Sequence, residues 1–291
     1  MSLLLDHIPT FLFLFTYGLY HLISSVRSHL LRHASAKPYY PLPLSSHRSH
    51  VLRHFPLYLT ILLLLVAIFH SAFTSAVSDN FHFVSLQSSI VLLLFQLIAL
   101  SFVLFPLPSD ATFLIAAVAF LLLSLTSRAL SASFSSSDLQ SPSHYIESVI
   151  SFSSAAAAVV LAINPTIFIA EITISASVCL RGLWALQAGL MLYVDRFVPE
   201  GCHILMDVKG GGPTRCDLDE SKVRAMAIMD LVLVVDTVVV TIIFIAIYVT
   251  TRRFCTKRGG VGPYEPLPTS TGIEIVDHVQ MKPIGKNSMQ A

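Results

Sequence analysis

Long apolar blocks, separated by short polar or proline-containing breaks, make up most of this chain. Seven of the blocks are roughly 18 to 30 residues long, and a helix needs about 20 residues to cross a hydrocarbon core of roughly 30 Å. Backbone polar groups in lipid must pair internally, so the pattern predicts an all-α integral membrane protein, a bundle of about seven transmembrane helices. The predicted spans are about 8–25, 55–77, 81–105, 111–129, 145–163, 165–194 and 225–248.

The spans form one predicted transmembrane domain over 1–250. The remaining segment, 251–291, is rich in Pro and Gly, and we predict a disordered cytosolic tail there. Basic residues concentrate in 26–54 and at the start of the tail, TTRRFCTKR, so both segments are expected in the cytosol. An odd number of spans then puts the N-terminus outside and the C-terminus in the cytosol. The pattern fits an endomembrane and the plasma membrane equally.

The composition also indicates that most of the chain lies in lipid rather than in water. The chain is 54% hydrophobic and only 12% charged, whereas a soluble domain carries about 25% charged residues. The net charge of +1 gives no field that would favour nucleic acid, so the predicted partners are the lipid bilayer and unknown proteins. The first apolar block follows no basic stretch and precedes no small-residue cleavage site, so we expect a retained span rather than a signal peptide.

Five polar side chains lie inside the predicted spans six and seven: Glu171, Arg181, Gln187, Asp230 and Asp236. Charges in a membrane-spanning helix are costly and should face other helices. Arg181 and Asp236 fall roughly 20 Å and 17 Å below the outer ends of their helices, so we hypothesise an ion pair between them. Such a pair is either a structural lock or, with Glu171, part of a polar track for ions or protons.

Four of the 12 histidines are expected near the outer membrane face, where they could together bind Zn²⁺ or Cu²⁺: His7, His70, His82 and His144. No tight HxxxH pair occurs among them. Two stacked haems are the alternative, since His7 and His21 lie about 21 Å apart along one helix face. Their second ligands would be His54 and His70, which lie about 160° apart on span two, and the arrangement fails there. We therefore predict no cofactor.

The cysteines suggest two covalent modifications. Cys202 and Cys216 share an outer loop in an oxidising compartment, so we predict a structural disulfide between them. Cys255 lies at the cytosolic membrane edge, where it is either palmitoylated or a free thiol. In the tail, Tyr264 and Leu267 match a YxxΦ sorting signal, a pattern that also arises by chance.

Two stretches resemble motifs of a known family. Residues 6–9 (DHIP) and 17–22 (YGLYHL) are similar to a GH-x-x-PG…GLWHL opening, and 181–189 (RGLWALQAG) is similar to QGTW-x-x-Q-x-G. Together they resemble the transmembrane protein 45 family, in particular its plant branch. The resemblance implies a multi-pass protein of about seven helices without an assigned molecular activity. The chain departs from the family at 123–134, where relatives carry a His-rich stretch, and at Asp236, where relatives carry a His.

No arrangement of residues typical of a catalytic site stands out, so we predict that the chain is not an enzyme. Three functional classes stay open. The first is a non-enzymatic multi-pass membrane protein of the transmembrane protein 45 type, as a trafficking or stress-response scaffold. The second is a small-solute or ion/proton transporter that uses Glu171, Arg181 and Asp236. The third is a histidine-based metal or haem redox protein.

Overall fold

A computed structural model shows seven long helices and one short hairpin. It describes residues 2–32, 50–77, 82–104, 107–134, 137–204 and 214–259. The helices are α1 (Ser2–Arg32), α2 (His50–Val77), α3 (His82–Leu104), α4 (Ser109–Ser133), α5 (Gln140–Ile163), α6 (Phe168–Tyr193) and α7 (Asp219–Gly259). All seven are long and apolar enough to cross a membrane, which confirms the predicted helical class and the number of candidate spans. Insertion and sidedness stay predictions.

Several helices continue beyond the apolar block that predicted them. Backbone hydrogen bonding carries α1 to Arg32 and starts α5 at Gln140, before the predicted 145. Polarity marks where an apolar span ends, but a helix ends only where its hydrogen bonds stop. For the same reason α7 reaches Gly259, inside the segment predicted as a disordered tail. The rest of that tail, 260–291, lies outside the described residues.

The helices from α2 to α6 pack in chain order, whereas α1 packs against α6. The most extensive contacts join α4 to α5, α1 to α6, and α2 to α3. Further contacts join α3 to α4 and α5 to α6, while α7 packs against α1 and α6. The resulting sequence of neighbours is α2, α3, α4, α5, α6, α1, with α7 lying over the α1–α6 pair. The first helix is therefore a neighbour of the sixth, and α6 also makes polar contacts with α5 and α7.

The α1–α6 contact depends on glycines, which let the two backbones approach closely. A Cβ atom at Gly18 would lie 2.7 Å from the backbone N of Cys179, and one at Gly182 would lie 2.7 Å from the backbone N of Phe15. At the far end of α1, His29 stacks on Phe168 with ring centroids 3.9 Å apart. These contacts run along both helices and fix them as an antiparallel pair.

Serines join α4 to α5. The Ser124 hydroxyl donates to the Ser148 carbonyl at 2.9 Å, and the Ser131 hydroxyl donates to the Ser141 carbonyl at 2.8 Å. Small residues at such contacts let helices approach in lipid, where interhelical hydrogen bonds add to packing. The serines of α4 and α5 therefore serve helix contact.

A disulfide-closed hairpin lies between α6 and α7. A short 3₁₀ turn, Asp195–Phe197, leads from α6 towards strand β1 (Cys202–Ile204), which pairs antiparallel with β2 (Thr214–Cys216). Cys202 and Cys216 are directly opposite in the register and are joined by a disulfide. The disulfide was predicted from the sequence but the strands were not, since three residues are too few for a recognisable alternation.

Candidate functional site

The polar residues lie beside a dry core. Trp184, 0% exposed, packs with apolar residues from α5, α6, α7 and the segment before α5: Leu139, Ile146, Ile150, Ala188, Leu192, Ala225 and Met229. The Trp184 indole N–H donates to the Ser143 carbonyl at 3.2 Å, so the buried donor is satisfied. This core fixes the relative positions of α5, α6 and α7, and with them the polar side chains.

Arg181 of α6 faces α5. Its guanidinium donates a hydrogen bond to the Ser151 hydroxyl. Glu147, about one turn earlier on α5, acts electrostatically on the same guanidinium. A buried cation needs both a hydrogen-bond acceptor and a counter-charge, and α5 supplies the two from one face.

Glu147 is the centre of a charged cluster, which we call the Glu147 cluster and define as His7, His144, Glu147, Ser151 and Arg181. The ring N–H at His144 Nδ1 donates to Glu147 Oε2 at 3.2 Å. The carboxylate is also within electrostatic reach of His7, whose Nδ1 donates to the Ala185 carbonyl at 3.0 Å. The cluster thus joins α1, α5 and α6 through one carboxylate.

Asp236 belongs to a second contact, between α6 and α7. It is 3% exposed, and its Oδ1 accepts a hydrogen bond of 2.7 Å from the Gln187 amide Nε2. The predicted Arg181–Asp236 ion pair is therefore not formed among the described side chains. Arg181 and Gln187 are six residues apart, which places them about 120° apart around the helix. One consequently faces α5 and the other faces α7.

The two other intramembrane carboxylates lie apart from both contacts. Glu171 is buried in the first turn of α6, ten residues before Arg181 and therefore about 15 Å from it along the axis. Asp230 is exposed on α7. The polar track predicted from Glu171 through Arg181 to Asp236 is thus divided over separate faces and depths.

The three outer histidines whose side chains are described, His7, His70 and His144, do not converge. His7 and His144 both approach Glu147, but His70 is exposed on α2, whose extensive contacts are with α3. The side chain of His82 lies outside the described residues. Across the described part of the chain, no group of three His, Cys, Asp or Glu side chains could hold a metal ion. The described members of the predicted four-histidine site are therefore not brought together as a metal site, and the part of the prediction that involves His82 stays a prediction.

The predicted haem ligand set is described only in part. The His21 ring lies edge-on to Tyr17, with centroids 4.4 Å apart, and its Nε2 is buried without a hydrogen-bond partner among the described residues. The side chain of His54 lies outside the described residues.

Cys255 lies in α7, but its side chain is not described, and the sorting motif of Tyr264 and Leu267 also lies outside the described residues.

An open hollow of about 360 Å³ lies at the hairpin end of the bundle. Within its lining, Lys222 Nζ lies 2.8 Å from Asp138 Oδ1, and the Cys216 backbone N–H donates to Asp138 Oδ2 at 3.1 Å. The Lys222 ammonium beside it holds the pKa of Asp138 below its usual value. Asp138 thereby ties the hairpin and α7 to the start of α5.

Sequence reasoning missed Glu147, Ser151 and Ser143. Glu147 lies three residues after His144 and four before Ser151, so all three share one helix face. That spacing was available as a signal. It was overlooked because span five was predicted to start at about 145, which placed Glu147 at the membrane surface rather than inside the bundle.

Comparison with known proteins adds a family but no activity. The chain matches a family described as "Family of unknown function (DUF716)" over residues 109–249, which run from the start of α4 to within α7. No curated protein matches the chain. The matched residues include most of the Glu147 cluster, the tryptophan core, the hairpin cysteines and Asp236. The chain is thus similar to this family over the helices that hold its buried polar groups.

Proposed function

We propose that this chain is a non-enzymatic, multi-pass membrane protein of the transmembrane protein 45 type, whose bundle acts as a scaffold in membrane trafficking or stress response. The match to a family of unknown function is compatible with that type. The lipid bilayer is its first partner, and unknown membrane proteins are the others.

The observation that carries the proposal is the pairing of the charged side chains with neighbouring helices. Arg181 binds Ser151 beside Glu147, and Asp236 accepts from Gln187. The core next to them, around Trp184, is apolar and closed. Polar groups that pair across helices in this way hold a bundle together.

A flux assay tests the scaffold against the transporter. The full chain is reconstituted in proteoliposomes that contain a pH-sensitive dye, and proton, Na⁺ and K⁺ gradients are applied. We expect ion leakage equal to that of liposomes reconstituted with a thermally unfolded sample. A flux that depends on folded protein and disappears in Asp236→Asn would overturn the scaffold proposal.

Transport remains a second candidate because of one feature. Asp236 Oδ2 and Gln187 Oε1 are both buried and have no hydrogen-bond partner within the described residues. Intramembrane carboxylates of this kind mark ion or proton pathways in transporters. A transporter would need the bundle to open around Asp236, so flux should rise with a gradient and fall in the Asp236→Asn variant while Arg181→Gln leaves a residual rate.

A metal or haem redox role has less support, because no group of three His, Cys, Asp or Glu side chains among the described residues could hold a metal ion. Metal analysis and an absorption spectrum of the purified chain test it directly. We expect neither bound zinc or copper nor a Soret band.

A further inference from the structure

Asp236 lies at the centre of the longest apolar helix. The apolar part of α7 runs from Asp219 to Phe254, and Asp236 is halfway along it. Its exposed fraction is 3%, against 59% and 51% for Val234 and Val235 beside it. The residue therefore points into the bundle at a depth where an ionised carboxylate costs several kcal/mol unless a counter-charge or a full set of donors stabilises it.

Among the described residues, no counter-charge lies beside Asp236. The group that acts on the Asp236 carboxyl is the Gln187 amide, through the 2.7 Å hydrogen bond to Oδ1. Titratable side chains described on the helices that pack around α7 make no electrostatic contribution there, including those nearest in sequence or depth: His7 and His21 of α1, Glu171 and Arg181 of α6, and Asp230 of α7 itself. An ionised Asp236 would thus be a buried, uncompensated charge.

The unsatisfied atoms show what is missing. Asp236 Oδ2 and Gln187 Oε1 are both acceptors when the acid is ionised, and neither has a hydrogen-bond partner in the described part of the chain. Two buried acceptors without a donor are each costly. A single hydrogen placed on Oδ2 converts one of the two acceptors into a donor for the other.

We propose that Asp236 binds a proton and forms a neutral carboxylic acid–carboxamide pair with Gln187. The amide N–H of Gln187 donates to Oδ1, and the acid O–H at Oδ2 donates to Gln187 Oε1, so two reciprocal hydrogen bonds join α6 to α7. The proton comes from solvent, and no other bond forms or breaks. This site is independent of whether the bundle acts as a scaffold or a transporter.

Infrared spectroscopy of the full chain in lipid nanodiscs tests the protonation state. A protonated carboxyl gives a C=O stretching band that an ionised carboxylate lacks, and the band shifts to lower frequency in D₂O. We expect this band at neutral pH in the native chain, its loss in Asp236→Asn, and its retention in Glu171→Gln and Glu147→Gln as matched carboxylate controls. Loss of a carboxylate band in Asp236→Asn, with the acid band unchanged, would overturn the proposal.

Two further measurements keep the test decisive if Asp236→Asn folds poorly. In Gln187→Leu, which keeps the acid but removes its partner, we expect the acid band to move to the higher frequency of a carboxyl without a hydrogen bond. The rival ligand is Na⁺, which would bind the ionised form through the same two oxygens. Replacing K⁺ by Na⁺ at fixed ionic strength should leave the melting temperature unchanged. A higher melting temperature in Na⁺ than in K⁺ would refute the proton assignment.

Discussion

Arg181 and Gln187 lie on the same helix, and the angle between them decides which partner each side chain meets. Depth alone brought Arg181 and Asp236 to a similar level, and on that basis the two were expected to pair. The helical rotation of about 120° between positions 181 and 187 turns Arg181 towards α5 and leaves Asp236 to Gln187. Intramembrane charges are therefore matched by helix face as well as by depth.

A double-mutant cycle separates the two pairings. We expect Arg181→Gln and Glu147→Gln to be coupled by about 0.5–3 kcal/mol, because each change alone leaves the other charge uncompensated. The measurement is unfolding by sodium dodecyl sulfate titration of the purified protein. Arg181→Gln with Asp236→Asn is the matched control, and coupling there as large as with Glu147 would contradict the observed contacts.

Asp138 gives the hairpin end of the bundle a dependence on pH. Lys222 holds the pKa of Asp138 below its ordinary value of 3.8, so the ionised form favours the folded state. The stabilisation is complete above about pH 4 and is lost as the pH falls through the lowered pKa. We expect the native chain to lose melting temperature below pH 4 more steeply than Asp138→Asn. Asp217→Asn, which removes the exposed partner of His203, should behave like the native chain.

At the scale of elements, glycines determine how closely α1 and α6 approach. Substituting Gly18 or Gly182 by Ala would place a methyl group 2.7 Å from the facing backbone, and a backbone atom cannot move aside as a flexible side chain can. We expect each substitution to cost about 1–3 kcal/mol in sodium dodecyl sulfate unfolding. Thr16→Ala, on an exposed position of α1, is the control and should have little effect. Equal effects at positions 16 and 18 would mean that α1 does not pack closely on α6.

The helices themselves could be predicted from the sequence, but which helices pack against each other could not. Apolar length predicted seven helices, because lipid leaves the backbone few alternatives. The α1–α6 contact could not be predicted from apolar length. The connection over 33–49 is long enough for α1 to pack away from α2, its neighbour in the chain. The Gly18 and Gly182 positions carried the signal, but glycines on two helices acquire meaning only once the helices are known to meet.

For the candidate sites too, the residues could be predicted but their partners could not. Residue type and depth predicted Arg181, Gln187 and Asp236 as intramembrane polar groups, and each of the three makes an interhelical hydrogen bond. Their partners depend on the angular position of each side chain around its helix and on which helices are neighbours. Neither can be predicted from one sequence alone. Glu147 was missed because its charge placed it at a surface in the sequence interpretation, whereas the helix continues past it.

At the scale of the whole molecule, two independent features predict the same orientation. Basic residues favour the cytosol for the 33–49 connection. The disulfide between Cys202 and Cys216 requires an oxidising compartment for the connection between α6 and α7. With seven spans, these two connections fall on opposite sides, so the charge bias and the disulfide agree although they depend on different chemistry.

Glycan acceptor sites test this orientation directly. The sequence has no usable N-x-S/T acceptor of its own, so any glycan reports an introduced site. We expect Lys209→Asn with Gly211→Ser to be glycosylated, because the α6–α7 connection faces the oxidising side. Pro43→Asn, which precedes Leu44 and Ser45, should stay unmodified in the cytosol. The readout is a mobility shift that glycosidase removes, and the reverse pattern would invert the bundle and place the disulfide where thiols are kept reduced.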